Sequence, residues 1–347
     1  MTLNIEEIKI DGYERVVHAQ VPEVGLSAIV AIHNTNLGPA CGGIRLLPYQ
    51  SKDEALRDVL RLSKGMSYKS ALAGISFGGG KSVIIQDPSK KDPALFQAFG
   101  EFVASFGGKY IAAKDMNTTS EDLIEVKKKT LHVLGIDGME KSSGDPSPVT
   151  ARGVYRALEA TVEFLNGTRS LSGVRVAIQG LGHVGYSLAE RVHEGGGEIW
   201  VTDVDPRRVQ KAEAELGAHP VARDAIYDVE CDIFSPCAIG AILNADTVER
   251  LRCRAVVGAA NNQLATPQDG LRLHERGIVY APDYAVNSGG IINVYQEFEG
   301  YDSAKALDKA DHIYDTVAEI LRRAKDQGIA PFVVADQLAE ERLYGLH

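Results

Sequence analysis

The chain has 347 residues, of which 44% are hydrophobic and 24% charged, and it carries a formal charge of −10 with a pI near 5.4. That length suits about two domains, each large enough for its own core. The acidic balance argues against nucleic acid or an anionic membrane as principal partner, since both reward a basic surface, and no apolar run approaches bilayer-spanning length.

In the first part, strand and helix signals alternate. Residues 26–33 read as a strand, and Ser51, Lys52, Asp53 and Glu54 read as a capping box opening a helix that Gly65 closes, with Leu56, Val59 and Leu60 on one face. Lys69 falls in a further short helical stretch ended by Gly74. Lys81 follows three glycines, and a strand begins at Ser82. Asp92 before Pro93 marks another helix start, with Gly107 and Gly108 at its end. The strand 110–113 runs into Lys114 and Asp115, which puts Asp115 at a carboxyl end, where open α/β sheets bind ligands.

Between 141 and 148 the composition turns to Ser, Gly, Asp and Pro, marking a domain boundary before a helix at 149–165. Strands at 174–179 and 198–202 then alternate with helices at 183–194 and 206–216. Strand-like segments follow at 231–234, 255–257 and 278–280, and this alternation predicts a doubly wound parallel sheet. Helices at 303–325 and 333–343 are separated by Gly328 and Pro331. In the first of them Ala310, Ile313, Val317 and Ile320 recur at core-packing spacing, and the last stretch is expected to return to the first domain.

Cys41, Cys231, Cys237 and Cys253 form no C-x-x-C pair and the nine histidines form no i, i+4 pair. With no secretory signal at the N terminus, this pattern reads as reduced thiols, no metal site and a cytoplasmic enzyme.

Two cations twelve residues apart, Lys69 and Lys81, suit an anionic substrate, and a buried lysine is able to release its proton and act as a base. The glycines before Lys81 are read as a tight turn that lets backbone approach a ligand. Gly80-Lys81-Ser82 imitates a phosphate loop, but that pattern needs glycine where Ile75 stands and a helix where a β-branched strand follows. Gly180-Leu181-Gly182-His183-Val184-Gly185 fits G-x-G-x-x-G between a strand and a helix, and Asp203 closes the next strand at the spacing of a ribose-binding acid. Together these point to a dinucleotide, with its pyrophosphate at the helix N terminus. Asp203 favours NAD over a 2′-phosphorylated nucleotide, although Arg207 and Arg208 lie close along the chain. Asp115 is read as a proton-exchanging acid, and Asn261, Asn262 and Asn287, after strand segments, as candidates for a nicotinamide amide.

The segments Gly38 to Arg45 (GPACGGIR), Lys64 to Lys69 (KGMSYK), Gly78 to Lys81 (GGGK), Asp115, GLGHVG and APDYAVNSGGIINV resemble the glutamate/leucine/phenylalanine/valine dehydrogenase family over nearly the whole chain. Compact length makes it most like the leucine, valine and phenylalanine enzymes. The resemblance implies NAD-dependent, reversible oxidative deamination of an L-amino acid to a 2-oxo acid and ammonium, a cleft between domains, and a homo-oligomer. It divides the chain into a substrate and oligomerisation domain at 1–145, a Rossmann NAD-binding domain at 146–326, and a returning C-terminal helix at 327–347.

By the same resemblance, Lys69 holds the substrate carboxylate, Lys81 activates the water that attacks the imine carbon, and Asp115 exchanges protons with the amine. Gly42, Gly43 and Met66 line the substrate site. Gly180, Gly182, His183, Val184, Gly185 and Asp203 hold NAD, with Thr150, Asn261 and Asn287 flanking the nicotinamide and Cys237 and Ala238 near the adenosine. Cys41, Ala113, Ile291 and Val294 form an uncharged side-chain pocket, which favours branched aliphatic substrates, with aromatic ones second. Lys114-Asp115-Met116-Asn117 departs from the leucine-dehydrogenase pattern by putting an extra cation beside Asp115. Two alternatives stand: a dehydrogenase of another small anion such as a hydroxy acid, and an NAD-sensing protein without catalysis.

Overall fold

The computed structural model describes residues 2–139 and 142–345. The chain divides into two compact units, Met1–Asp145 with Val294–Asp302 and Ala339–His347, and Pro146–Asn293 with Ser303–Leu338. The ranges expected from sequence differ from these in two respects: 294–302 belongs to the first unit, and the second extends to Leu338 rather than 326. Lys141, the expected start of the linker, lies outside the described residues.

In the first unit four strands precede any α-helix, where alternation was expected: β1 (Asn4–Glu7), β2 (Arg15–Val21), β3 (Leu26–Asn34) and β4 (Ala40–Leu47). They are followed by α1 (Lys52–Ala73), β5 (Gly78–Ile85), α2 (Pro93–Ala104), β6 (Tyr110–Lys114) and α3 (Ser120–Lys127). The sheet order is β1-β2-β3-β5-β4-β6, with β4 parallel to both of its neighbours and β3 antiparallel to β5. Ala55 and Val59 of α1 pack with Val16, Ile29 and Val83 on one side of the sheet. Phe96, Phe99 and Phe102 of α2 and Leu123 of α3 cluster with Val30, Ile44 and Ala112 on the other.

Ser51 caps α1 by accepting the Glu54 N–H at 3.1 Å, whereas the Glu54 carboxylate reaches past the cap to the Gln50 N–H at 2.7 Å. Gly65 does not close this helix. It runs 22 residues to a left-handed Gly74, φ 62°. A mid-helix glycine costs only about 0.5–1 kcal/mol relative to alanine, and the contacts of Ser63 and Ser67 with β5 on either side of Gly65 hold the helix through it.

The three glycines before Lys81 form the start of β5, not a turn, and none of them has a positive φ. Their function is contact. A Cβ on Gly79 would sit 1.9 Å from Ser67 Oγ, one on Gly78 2.2 Å from the Asn34 carbonyl, and one on Gly80 2.8 Å from the Tyr110 ring. Tyr110 in turn donates to the Gly42 carbonyl at 2.9 Å and contacts Ser82 Oγ at 2.9 Å, tying β6 to β4 and β5.

The last residues of the described chain grip the C terminus of α1. Arg342 Nη1 donates to the carbonyls of Ala71 and Leu72 at 3.3 and 3.1 Å in the last turn of the helix, where the Ala71 carbonyl also accepts the Gly74 N–H. Asn36 donates to the Leu343 carbonyl at 3.0 Å, and Tyr68 hydrogen-bonds Glu340.

The second unit opens with α4 (Ser147–Asn166), followed by β7 (Arg175–Gln179), α5 (His183–Glu194), β8 (Glu198–Thr202), α6 (Pro206–Leu216) and β9 (His219–Pro220). Next come β10 (Ile233–Pro236), α7 (Ala245–Arg250), β11 (Ala255–Val256), α8 (Pro267–Glu275), β12 (Val279–Tyr280), α9 (Asp283–Val286) and the start of α10 (Gly289–Phe298), which passes into the first unit at Val294. The strands form a parallel sheet ordered β12-β11-β10-β7-β8-β9. This is the doubly wound sheet that the alternation predicts. The expected helix 303–325 is two helices, α11 (Ser303–Asp311) and α12 (Ile313–Gln327), interrupted at His312. Ala310, Ile313, Val317 and Ile320 are buried, as their spacing requires. The final helix is α13 (Pro331–Tyr344). Among the described residues, no helix is long and apolar enough to cross a membrane.

Candidate functional site

In the first unit, Lys81 lies within β5 with its side chain only 8% exposed, and Asp115 follows the last residue of β6. Parallel pairing of β4 with both strands brings them together: Lys81 Nζ meets Asp115 Oδ2 at 2.7 Å. Burial drives the Lys81 pKa down, and the charge and hydrogen bond of Asp115 offset this only in part, so the ammonium loses its proton more readily than a free lysine. Burial works against ionisation of Asp115 as well. The charges of Lys81 and Arg45 outweigh it and hold the carboxyl below its ordinary range.

Gly42 and Gly43 of β4 make this proximity possible. A Cβ on Gly42 would fall 1.9 Å from the Gly80 carbonyl and 3.0 Å from the Lys81 Cα, and one on Gly43 would fall 2.6 Å from the Asp115 Cβ. Cys41 is register partner of Gly79, and Gly43 of Ala113. The buried Cys41 thiol is pushed up to about 12, chiefly by burial, so it is a neutral wall and not a nucleophile. Met66 and Lys69 lie three residues apart on α1, both partly exposed. Ile291 and Val294 are likewise three apart, on α10. The extra cation expected beside Asp115 is engaged elsewhere, because Lys114 Nζ pairs with Asp137 at 2.6 Å.

Two further charged residues join the cluster, and neither stood out in the sequence. Arg45 Nε contacts Asp115 Oδ2 at 3.2 Å while its Nη1 contacts Asp58 Oδ2 at 3.1 Å. Asp58 also accepts from the Tyr49 hydroxyl at 2.7 Å and from Arg61 at 3.0 Å. The available signal was an arginine two residues beyond Gly43 on one strand, hence on the same face of the sheet.

In the second unit, the glycine fingerprint forms the turn from β7 into α5. Gly180 adopts φ +99°, a conformation that side chains resist, and a Cβ there would meet Ala238 at 2.7 Å. A Cβ on Gly185 would strike the Gly180 carbonyl at 2.0 Å, packing the helix onto the turn. At Gly182, next to His183 and Val184 in the first turn of α5, none of the described residues lies within 4 Å of that position. The space over the helix N terminus is open, and that terminus attracts anions. Asp203 accepts the Leu181 N–H at 2.6 Å and the Asp205 N–H at 2.8 Å. The neighbouring arginines are turned to aspartates: Arg207 grips Asp205 through Nε and Nη2 at 3.0 and 2.9 Å, and Arg208 lies 3.7 Å from Asp203.

Cys237 follows β10, and its Cβ lies 3.1 Å from where a Gly185 side chain would begin. Asn287 caps the short helix α9 instead of following a strand directly, yet its Nδ2 donates to Asn261 Oδ1 at 2.9 Å and to the Ala259 carbonyl at 3.0 Å. Its own Oδ1 is buried without a hydrogen-bond partner among the described residues, a state that costs free energy until a donor arrives. Thr150, in the first turn of α4, donates to the Pro146 carbonyl at 2.9 Å and lies 3.5 Å from the position of a Gly290 side chain.

A two-unit α/β chain with a buried lysine–carboxylate pair in one unit and a dinucleotide-type turn in the other has the features of a dehydrogenase. Residues 13–132 match the Glu/Leu/Phe/Val dehydrogenase dimerisation domain, and residues 203–330 match the Glutamate/Leucine/Phenylalanine/Valine dehydrogenase domain. The chain belongs to this family. It is 49% identical to leucine dehydrogenase of Thermoactinomyces intermedius over 95% of this chain and 91% of the relative. It is 47% identical to phenylalanine dehydrogenase of Caldalkalibacillus thermarum, over 96% of this chain and 92% of the relative. The crystal structure of L-tryptophan dehydrogenase from Nostoc punctiforme superposes with a TM-score of 0.89 at 41% identity, covering 96% of each chain.

Proposed function

We propose that the protein catalyses the reversible NAD-dependent oxidative deamination of an L-amino acid to a 2-oxo acid and ammonium. The observation that carries this reading is the buried Lys81–Asp115 pair, 2.7 Å apart. Deamination needs one group that takes a proton from water and another that exchanges protons with nitrogen. A lysine whose pKa is lowered by burial and an aspartate held ionised beside it suit those two tasks. Lys69, partly exposed on α1, supplies a fixed cation for the substrate carboxylate. Gly42, Gly43 and Met66 line the same site.

Gly180, Gly182, His183, Val184 and Gly185 hold the dinucleotide pyrophosphate, Asp203 its adenosine ribose, and Cys237 and Ala238 flank the adenosine. Support comes from the open space at Gly182 and from the fixed Asp203 carboxylate. Asn287, with its unpartnered Oδ1, Asn261 and Thr150 orient the nicotinamide amide. When bound, NAD accepts the hydride. The protein's own part is to hold the carboxylate at Lys69, to take up a proton at Lys81 Nζ, and to exchange one at the Asp115 carboxylate.

Cys41, Ala113, Ile291 and Val294 carry no charge, which favours branched aliphatic side chains, with aromatic ones second. One methylene in such a pocket is worth about 1–3 kcal/mol. A homo-oligomer is supported by the match to a dimerisation domain. The four free cysteines suit a reducing, cytoplasmic setting.

The test is NADH production with a panel of L-amino acids at alkaline pH, with ammonium dependence measured in the reverse direction. Inert amino acids together with reduction of NAD by a hydroxy acid would overturn the proposal. Equal activity with NADP would remove Asp203 from its role.

A further inference from the structure

We propose that Arg45 is a positioning residue for this reaction: its guanidinium bridges Asp58 on α1 and Asp115 after β6, and so fixes the carboxylate against which Lys81 works. The inference rests on the reading of Lys81 as the group that gives up its proton.

The geometry is that of a clamp. Lys81 Nζ and Arg45 Nε meet the same Asp115 oxygen, Oδ2, at 2.7 and 3.2 Å. One carboxylate oxygen shared by two cations cannot swing without breaking both contacts. The other end of the guanidinium is anchored at 3.1 Å to Asp58, and Tyr49 and Arg61 steady Asp58 at 2.7 and 3.0 Å. The side chains of Arg45 and Asp58 are only 15% and 18% exposed, so solvent screens the cluster weakly. Asp58 lies on the helix that also carries Lys69. The bridge therefore ties the helix of the proposed carboxylate site to the strand end of the proton-exchanging acid. A planar fork spans two carboxylates in this way, and a lysine ammonium does not.

The same charges tune Lys81. It faces Asp115 after β6, Arg45 and Cys41 on β4, and Asp58 on α1. Tyr49 faces Asp58, Arg45 and Asp115, while Tyr110 faces Asp115 and Cys41, and Glu297 faces Cys41. After burial and Asp115, Arg45 pushes the Lys81 pKa down and Asp58 pushes it up. Removing one or the other must therefore move the titration of Lys81 in opposite directions.

The experiment compares kcat, KM and the pH profile of kcat/KM for Arg45→Gln, Arg45→Lys and Asp58→Asn in the full chain, with nucleotide affinity and thermal unfolding as controls. In Arg45→Gln we expect kcat to fall about 10- to 100-fold. KM for NAD should stay within about twofold, since the clamp lies in the other unit from the fingerprint. The acid limb should rise by roughly half a pH unit, a fraction of the 1–3 units that a charge in direct contact produces. Asp58→Asn should lower that limb, and Arg45→Lys should restore most of its position but only part of the rate.

Limbs that stay put, limbs that move the same way in Arg45→Gln and Asp58→Asn, or an Arg45→Lys variant no better than Arg45→Gln would overturn the inference. Should Arg45→Gln not fold, Asp58→Asn decides by itself, a lowered limb supporting the clamp and an unmoved or raised one refuting it. Lys81→Ala separates the two levels. Lost turnover in that variant with unmoved limbs in the others sinks only the clamp, whereas full turnover sinks both readings.

Discussion

Gly43 stands so close to Asp115 that a methyl group on it would come within 2.6 Å of the Asp115 Cβ, and within 2.8 Å of the Lys114 carbonyl. No flexible side-chain end is available to move aside. Gly43→Ala should therefore displace Asp115 from Lys81, lowering kcat about 100-fold while costing about 1–3 kcal/mol of stability. Steady-state kinetics beside urea unfolding checks this, and wild-type turnover in the variant would contradict it.

Lys81→Ala removes the proton acceptor and leaves Asp115 with Arg45 as its cation. Turnover should drop by about 100- to 10,000-fold, the range for loss of a general base. Binding of NADH, followed by its fluorescence, should change by less than about twofold, because the glycine fingerprint lies in the other unit. Retained turnover would take Lys81 out of the chemistry.

Two glycines of the first unit should respond oppositely to alanine. At Gly65, exposed on α1, the new methyl meets none of the described residues within 4 Å outside the helix's own backbone. Gly65→Ala should stabilise by about 0.5–1 kcal/mol through helix propensity. Gly79→Ala puts a methyl 1.9 Å from Ser67 Oγ and 2.3 Å from the Ser67 backbone nitrogen, forcing α1 away from β5. It should destabilise by about 3 kcal/mol, the upper end for an overpacked contact. Chemical denaturation of the pair reads both signs, and a stabilising Gly79→Ala would refute the contact argument.

His33 makes stability depend on pH. Burial, seconded by the charge of Lys64, brings its folded pKa to about 4, against 6.5 for a free imidazole. Above pH 6.5 the ring is neutral in both states and its contribution is complete. As pH falls from 6.5 towards 4, the unfolded chain binds a proton that the folded chain refuses, so stability is progressively lost. His33→Gln, which keeps a polar group near Ser67, should show a smaller drop in urea midpoint between pH 7.5 and pH 5 than the wild type. Equal drops would show that His33 does not carry this dependence.

Much of the second unit was legible because its signals are local. The helices at 183–194 and 206–216 and the strand at 198–202 begin and end where expected. There, glycines, the Asp205 cap and Pro206 punctuate clear hydrophobic periods. The first unit was less legible. β4 reads Ala-Cys-Gly-Gly-Ile-Arg, which looks like a turn, and the glycines of β5 carry no strand signal of their own. Both are strands because neighbours need their bare backbone. Lys81 stands out by the glycines before it and Asp115 by its place at a strand end, but Arg45 and Asp58 acquire partners only when β4 enters between β5 and β6, an arrangement that chain order does not disclose.

Arg342 and the two carbonyls it caps, those of Ala71 and Leu72, are 271 and 270 residues apart along the chain. At about 5–20 residues per second, a ribosome needs roughly 15–50 s to make the intervening segment. By the end of that interval the run Pro146–Asn293 of the second unit has been made, and until then the end of α1 lacks its clasp. Synthesis therefore reverses the usual order: the nascent polypeptide can finish much of its later domain before its earlier one.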